Sequence, residues 1–371
     1  MKKSLGIYIH VPFCLKKCGY CDFCSFAGKG EEYMDAYADE LCRRIAAAVA
    51  EASDYVVDTV YFGGGTPSLM PLVSVEKIIN AVCLFDIAPD AEITLECNPA
   101  TADEAYFLGL CALGVNRLSI GLQSAHDNEL ALLGRAHTKA DFVRCFEDAR
   151  AAGFDNISAD LMYGIPDQTL DSFSSSLEFL VSLSPEHISA YGLTVEDGTY
   201  FHAHRNELSL ADDDMQADMY SLMSVFLEKY GYHKYEISNF SKEGRGSRHN
   251  MRYWKCLDYL GFGVAAHSCF GGRRYGNSRD IGAFLRGEDI TEESYTIDAD
   301  ERRREFVMLG LRLASGIDTK EYATLFGDDF FAHYPNAKGY IDGGFMRRDG
   351  ERVTFTDRGF LVSNVILSDL L

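Results

Sequence analysis

Short runs rich in apolar and β-branched residues recur through the first half of the chain, at positions 5–11, 59–62, 92–96, 117–121, 157–162 and 187–193. Between them, apolar residues return every third or fourth position over 32–52, 75–85, 102–112, 138–152 and 170–183. The first pattern fits strands and the second amphipathic helices, and their regular alternation predicts a parallel α/β sheet with helical crossovers. Six such units without an early reversal favour a partial (β/α)6, TIM-like barrel over a doubly wound sheet.

Each run ends in residues that an apolar core does not want. His10 and a group of cysteines follow the first, Gly63 to Thr66 the second, and Glu96 and Asn98 the third. Gln123 follows the fourth, Asp160 lies within the fifth, and Thr194 and Glu196 follow the sixth. In a (β/α) barrel those ends share one face, and that face carries the active site.

Past residue 200 the alternation lapses. Residues 211–230 read as a helix opening on Asp212, Asp213 and Asp214, favourable at a positive dipole end. A polar loop follows at 241–250, then a Gly/Ala-rich apolar stretch at 261–270 and a charged helix at 298–313. A helix at 319–326, a hairpin at 345–355 around Asp349-Gly350 and a closing helix at 356–370 make a small winged-helix-like module. The expected division is a barrel core at 1–200, an extension at 201–297 and an α+β C-terminal domain at 298–371.

Charge narrows the choice of partners. Among 371 residues, Lys+Arg 35 against Asp+Glu 56 leaves a net charge of −21, which repels phosphate backbones and argues against nucleic acid as a partner. For the C-terminal module it favours a lid or docking role over DNA binding. No apolar stretch reaches the roughly 18 residues of a transmembrane helix, and the apolar run at the N-terminus is strand-length and contains His10. A soluble, cytoplasmic protein is expected.

Four of the eleven cysteines, Cys14, Cys18, Cys21 and Cys24, crowd into one segment, while seven scatter among apolar neighbours as buried thiols. Three thiolates spaced as Cys14, Cys18 and Cys21 can hold three irons of a cubane [4Fe–4S] cluster and leave the fourth open to a small molecule. A structural zinc site with Cys24 or His10 as fourth ligand is the alternative. Phe62-Gly63-Gly64-Gly65-Thr66-Pro67 supplies glycines that let backbone approach a ligand, and no Lys-Ser/Thr pair follows to make it a phosphate loop.

The run Tyr8-Ile9-His10-Val11-Pro12-Phe13-Cys14, the CxxxCxxC spacing and the GGGTP loop together resemble the radical S-adenosylmethionine (SAM) superfamily. Within it they resemble the branch of oxygen-independent coproporphyrinogen III oxidases and HemW-type heme chaperones. Further matching runs are Glu96-Cys97-Asn98-Pro99, Arg117-Leu118-Ser119-Ile120-Gly121-Leu122-Gln123-Ser124, Leu133-Gly134-Arg135-Ala136-His137 and Asp160-Leu161-Met162-Tyr163-Gly164-Ile165-Pro166. The resemblance spans nearly the whole chain. It implies a [4Fe–4S] cluster on Cys14, Cys18 and Cys21, SAM bound at the open iron, and an electron donor such as flavodoxin or ferredoxin. It further implies a SAM site at Tyr8, Tyr20, Gly64, Gly65, Thr66, Glu96, Gln123, Arg135, Asp160 and Thr194, with Tyr20 near the adenine.

Three features separate the two types. Phe23 stands where the oxidases carry a further cysteine, Cys14 lies too near the start for their long leading segment, and His249-Asn250-Met251-Arg252-Tyr253-Trp254 matches the HNxxYW motif of the chaperones. The chaperone reading implies heme as a ligand, heme-acceptor proteins as partners, and an exposed His249 as iron ligand with Tyr253 and Trp254 stacking on the macrocycle. Arg245, Arg248 and Arg252 would pair with heme propionates, and His267 and Cys269 are competing axial ligands. The alternative is SAM-dependent oxidative decarboxylation of coproporphyrinogen III propionates to vinyl groups.

Overall fold

The computed structural model of the protein describes residues 2–371. Six parallel strands, β1 (Lys3–Val11), β2 (Tyr55–Gly64), β3 (Ile87–Cys97), β4 (Arg117–Gln123), β5 (Ile157–Tyr163) and β6 (His187–Gly192), lie side by side in chain order. Helices α1 (Glu31–Ala48), α2 (Leu72–Val82), α3 (Glu104–Ala112), α4 (Asp127–Leu133), α5 (Lys139–Ala151) and α6 (Leu170–Ser182) fill the connections. The helix starts are written locally. Asp103 caps α3 through the Tyr106 N–H, and Thr138 and Thr169 form capping boxes on α5 and α6.

The strands alternate sharply. On β4, Leu118, Ile120 and Leu122 face the helices at 0 % exposure, while Arg117, Ser119, Gly121 and Gln123 occupy the other face. Polar residues in the same phase on β2, β3 and β5 (Thr59 and Tyr61, Glu92 and Glu96, Ser158 and Asp160) give the partial barrel a polar lumen inside an apolar jacket.

The chain departs from the sequence expectation in four places. The stretch at 261–270 is two strands: β7 (Tyr259–Phe262) pairs parallel with the free edge of β1, and His267–Phe270 runs back antiparallel. Arg273–Asn277 and Thr291–Thr296 extend that edge, and Asn239–Ser241 and His233–Lys234 extend the β6 edge, giving one open 12-stranded sheet. Helix α4, too short at seven residues to show a period, precedes Arg135. The closing helix is two pieces, Asp357–Leu361 and Ser363–Leu370, because Val362 leaves helical geometry. Finally, the HNxxYW motif is no loop: Arg248–Trp254 is a helix capped by Ser247.

That helix sits across the N-terminal end of the barrel. The Glu92 carboxylate of β3 accepts the backbone N–H groups of Arg248 and His249 at 3.1 and 3.0 Å. Arg252, 2 % exposed, forms an ion pair with Asp58 and donates to the Asp258 carbonyl at 2.9 Å. Gly6 is required beneath it, since a Cβ there would lie 2.5 Å from the Arg252 side chain. The C-terminal module pairs Ile317–Asp318, Arg352–Phe355 and Met346–Asp349 in a three-stranded sheet and meets the barrel through a Lys234–Asp357 ion pair of 2.7 Å. Among the described residues no helix is long and apolar enough to cross a membrane.

Removing one partner of the buried pair leaves an uncompensated charge. Arg252→Ala is expected to lower stability by about 3 kcal/mol, the low end for such pairs because Asp58 is partly exposed, read as a fall in the urea unfolding midpoint.

Candidate functional site

The cysteine loop is fastened on three sides at the opposite end of the barrel. The Gly19 N–H reaches the Leu133 carbonyl at the end of α4 (3.0 Å), the Phe201 N–H reaches the Gly19 carbonyl (2.9 Å), and the Phe26 N–H reaches the Pro12 carbonyl (2.7 Å). The glycine loop is bonded to the chain entering Cys14: Gly65 N–H to Val11 and Thr66 N–H to Phe13, at 2.8 and 2.7 Å. A Cβ on Gly64 would meet the His10 ring at 2.4 Å, and one on Gly65 would meet the Phe13 carbonyl at 2.8 Å. Glycine is a packing requirement here before any ligand is considered.

Cys14, Cys18 and Cys21 are half-buried and line one wall of a cavity of about 530 Å³. The Thr66 hydroxyl donates to Cys14 Sγ at 3.6 Å and the Arg135 guanidinium to Cys18 Sγ at 3.7 Å. Burial pushes the thiols of Cys14 and Cys21 upward. Among the described residues no three His, Cys, Asp or Glu side chains converge as they would around one ion. His10 is committed on both ring nitrogens, to the Tyr8 hydroxyl (3.0 Å) and the Cys24 carbonyl (2.9 Å), and Cys24 is buried off the cavity wall. A closed zinc site does not fit this arrangement; three spread thiols around open space fit a polynuclear iron–sulfur group.

The strand ends meet in the same cavity. Tyr20, Gly64, Gly65, Thr66, Glu96, Gln123, Arg135, Asp160 and Thr194 all line it. Glu96 accepts the Tyr61 hydroxyl at 2.8 Å and the Gly64 N–H at 3.1 Å, and Asp160 accepts the Ser119 hydroxyl at 3.0 Å. Burial raises Glu96 to about 7 and Asp160 to about 6, against the pull of Arg117 in the lumen below. Gln123 is held at φ 67°, where the pairing of β4 with β5 slips by a residue and turns the Gln123 side chain into the cavity. Gly121 leaves the room for it, since a Cβ would lie 2.8 Å from the Gln123 amide. Two carboxylates, a guanidinium and several amide and hydroxyl groups suit a zwitterionic, hydroxyl-bearing ligand.

Tyr8 sits deeper than the other predicted residues. It lies one layer below the cavity with its hydroxyl on His10, so it supports the site without lining it. Ser119, Tyr191 and Tyr61 belong to the site or its floor and were legible only as inward positions of period-two strands.

The expected exposure of His249 needs the larger correction. His249 is 1 % exposed, with Nδ1 bonded to the Thr59 hydroxyl and Nε2 to the Tyr253 hydroxyl, both at 2.9 Å. Burial, helped by Arg252, lowers it to about 3, so it is neutral. Arg252 is used up on Asp58, and Arg245 and Arg248 face Asp155 and Asp90 at 3.6 and 3.3 Å. Trp254 is half-buried, His267 exposed and Cys269 buried. His249 is thus a buried histidine with both ring nitrogens hydrogen-bonded, where an exposed one was expected.

The Radical SAM superfamily profile matches residues 8–180, and the HemN C-terminal domain profile matches residues 297–362. The fold and the three-thiol pocket thus define a radical SAM protein with a HemN-type C-terminal module. Over the whole length the likeness is more particular. The chain is 36% identical to the heme chaperone HemW of Synechocystis sp. over 98% of this chain and 95% of that protein. It is 34% identical to that of Escherichia coli (98% and 97% covered) and 33% to that of Bacillus subtilis (98% and 98%). The chain belongs to the HemW heme chaperone family. The structure also superposes on the coproporphyrinogen III oxidase HemN of Escherichia coli with a TM-score of 0.87 at 22% identity, covering 100% of this chain and 90% of that one, a likeness of fold.

A carboxyl raised on folding favours the folded state at acid pH and withdraws that contribution as pH climbs from its unfolded value to its folded one. For Glu96 that window runs from the ordinary carboxylate range to about 7. Glu96→Gln is expected to flatten the fall of the urea midpoint between pH 5 and pH 8 in ligand-free protein.

Proposed function

We propose that the chain binds heme and passes it to acceptor proteins, using a [4Fe–4S] cluster held by Cys14, Cys18 and Cys21 with SAM beside it. The observation that carries this reading is the wall of three half-buried thiols facing two buried carboxylates across one cavity, in a chain alike over its length to proteins named heme chaperones. Gly64, Gly65 and Thr66 present backbone and hydroxyl to the amino-acid end of SAM. Glu96 receives its ammonium group, and Gln123, Asp160 and Thr194 its hydroxyls and carboxylate. Arg135 balances the charge at Cys18, and Tyr20 covers the adenine. When bound, cluster and SAM supply one-electron cleavage of the sulfonium carbon–sulfur bond; the chain's own residues orient the pair and exclude water.

The electron donor in this reading is a flavodoxin or ferredoxin. Lys16 and Lys17, exposed beside Cys18 on an otherwise acidic chain, support docking of an acidic carrier within reach of the cluster. A cytoplasmic location is supported by eleven cysteines with no disulfide among them. Residues 1–200 form the barrel core and 201–297 its extension in this reading, with 298–371 as a lid or docking module.

Two measurements test the reading. Anaerobically reconstituted protein is expected to hold about four irons with matching sulfide, and Cys18→Ala to lose the cluster's broad visible absorbance. The same wild-type sample, given SAM and reductant, is expected to bind heme and leave coproporphyrinogen III unconsumed. Sustained decarboxylation would replace the chaperone reading with the oxidase.

A further inference from the structure

We propose that the HNxxYW helix is the floor of the SAM pocket, with His249 a positioning residue that holds Tyr61 against Glu96, and that His249 is not an iron ligand. The inference rests on the SAM reading of the pocket and adds a role for a motif that this reading leaves unused.

The connection runs through named contacts. The His249 ring stacks on Tyr61 at 5.2 Å and 24° between planes, and on Tyr8 at 6.4 Å and 30°. Tyr61 donates its hydroxyl to Glu96 at 2.8 Å, and Tyr8 bonds to His10, whose ring fills the space under Gly64 and whose Nε2 bonds to the Cys24 carbonyl. One branch from His249 therefore ends on the carboxylate of the pocket and the other on the cysteine loop.

Both nitrogens of His249 are committed, and its backbone N–H is tied to Glu92, on the same strand and the same face as Glu96. Freeing a nitrogen for iron means breaking a buried hydrogen bond and leaving the hydroxyl of Thr59 or Tyr253 unpaired, an unfavourable step before any ligation. Moving the helix also breaks the Arg252–Asp58 pair. As a wedge under Tyr61 the ring has its geometry fixed from four sides. As a heme ligand it has no open approach.

The test compares full-length, reconstituted wild type with His249→Ala, His249→Phe and Tyr61→Phe, measuring SAM and heme dissociation constants separately. His249→Ala and Tyr61→Phe are expected to weaken SAM binding about tenfold, the loss of one hydrogen bond to a charged group. His249→Phe, which keeps the stacking ring, is expected to recover part of the loss. Heme affinity is expected to stay within about threefold of wild type in all three. The pH midpoint of SAM binding is expected to move upward in Tyr61→Phe and His249→Ala, because Glu96 loses a donor while Asp160, Arg117 and the Gly64 N–H around it stay in place; loss of general rigidity would not move it.

A tenfold or greater loss of heme affinity in either His249 variant overturns the proposal, as does wild-type SAM affinity in both His249→Ala and Tyr61→Phe. Wild type that binds no SAM takes down the reading of the pocket itself. Emission of Trp254, the single tryptophan and a residue of this helix, reports whether each variant keeps it seated. If His249→Ala does not, His249→Phe carries the heme arm and Tyr61→Phe the SAM arm.

Discussion

A polar lumen inside an apolar jacket is the constraint on which this structure turns. Parallel strands buried on both faces ordinarily carry apolar residues throughout, as β4 does toward its helices with Leu118, Ile120 and Leu122. Here the inward face carries Arg117, Ser119 and Gln123 on β4, Glu92 and Glu96 on β3, and Asp160 on β5. Each such group costs free energy unless another strand or a cap supplies a partner. The barrel is open, so partners must come from whatever closes its two ends.

The two ends are closed differently. At the C-terminal end the cysteine loop, the glycine loop and Arg135 leave a cavity, and Glu96 and Asp160 face it with their carboxyls raised by burial. At the N-terminal end the Arg248–Trp254 helix satisfies what it covers. Glu92 takes two backbone donors, Thr59 takes His249, and Asp58 takes Arg252. Residues of similar chemistry are thus covered by a helix at one end and face a cavity at the other, and the element that closes each end decides which.

This contrast also marks where sequence reasoning stops. The six strands, their flanking helices and the convergence of Glu96, Gln123, Asp160 and Thr194 were legible, because alternation and strand ends are local properties and a barrel gathers strand ends by geometry. The glycine loop was legible as a close approach, though part of its need comes from the His10 ring and the Phe13 carbonyl. β7 was not legible as a partner of β1, since a parallel neighbour some 250 residues away leaves no local trace. The burial of His249 was not legible for a related reason. A histidine beside arginines and aromatics looks like an exposed ligand in sequence, but its environment is set by Thr59 and Tyr61 on a distant strand.

Strand β3 joins the two ends mechanically. Glu92 and Glu96 lie four residues apart on one face, a rise of about 13 Å along an extended strand. Glu92 is fixed by the helix and Glu96 reaches the pocket, so a shift of the helix is transmitted along a stiff element with little slack. Tyr61 on β2 adds a second rigid link between the same two levels, from the His249 ring to the Glu96 carboxylate. If Glu96 receives the ammonium group as proposed, such bracing favours binding, because a carboxylate fixed beforehand loses little further freedom when the ligand arrives. The polar helix at the base of the barrel is, on this argument, part of what makes the pocket at its top competent.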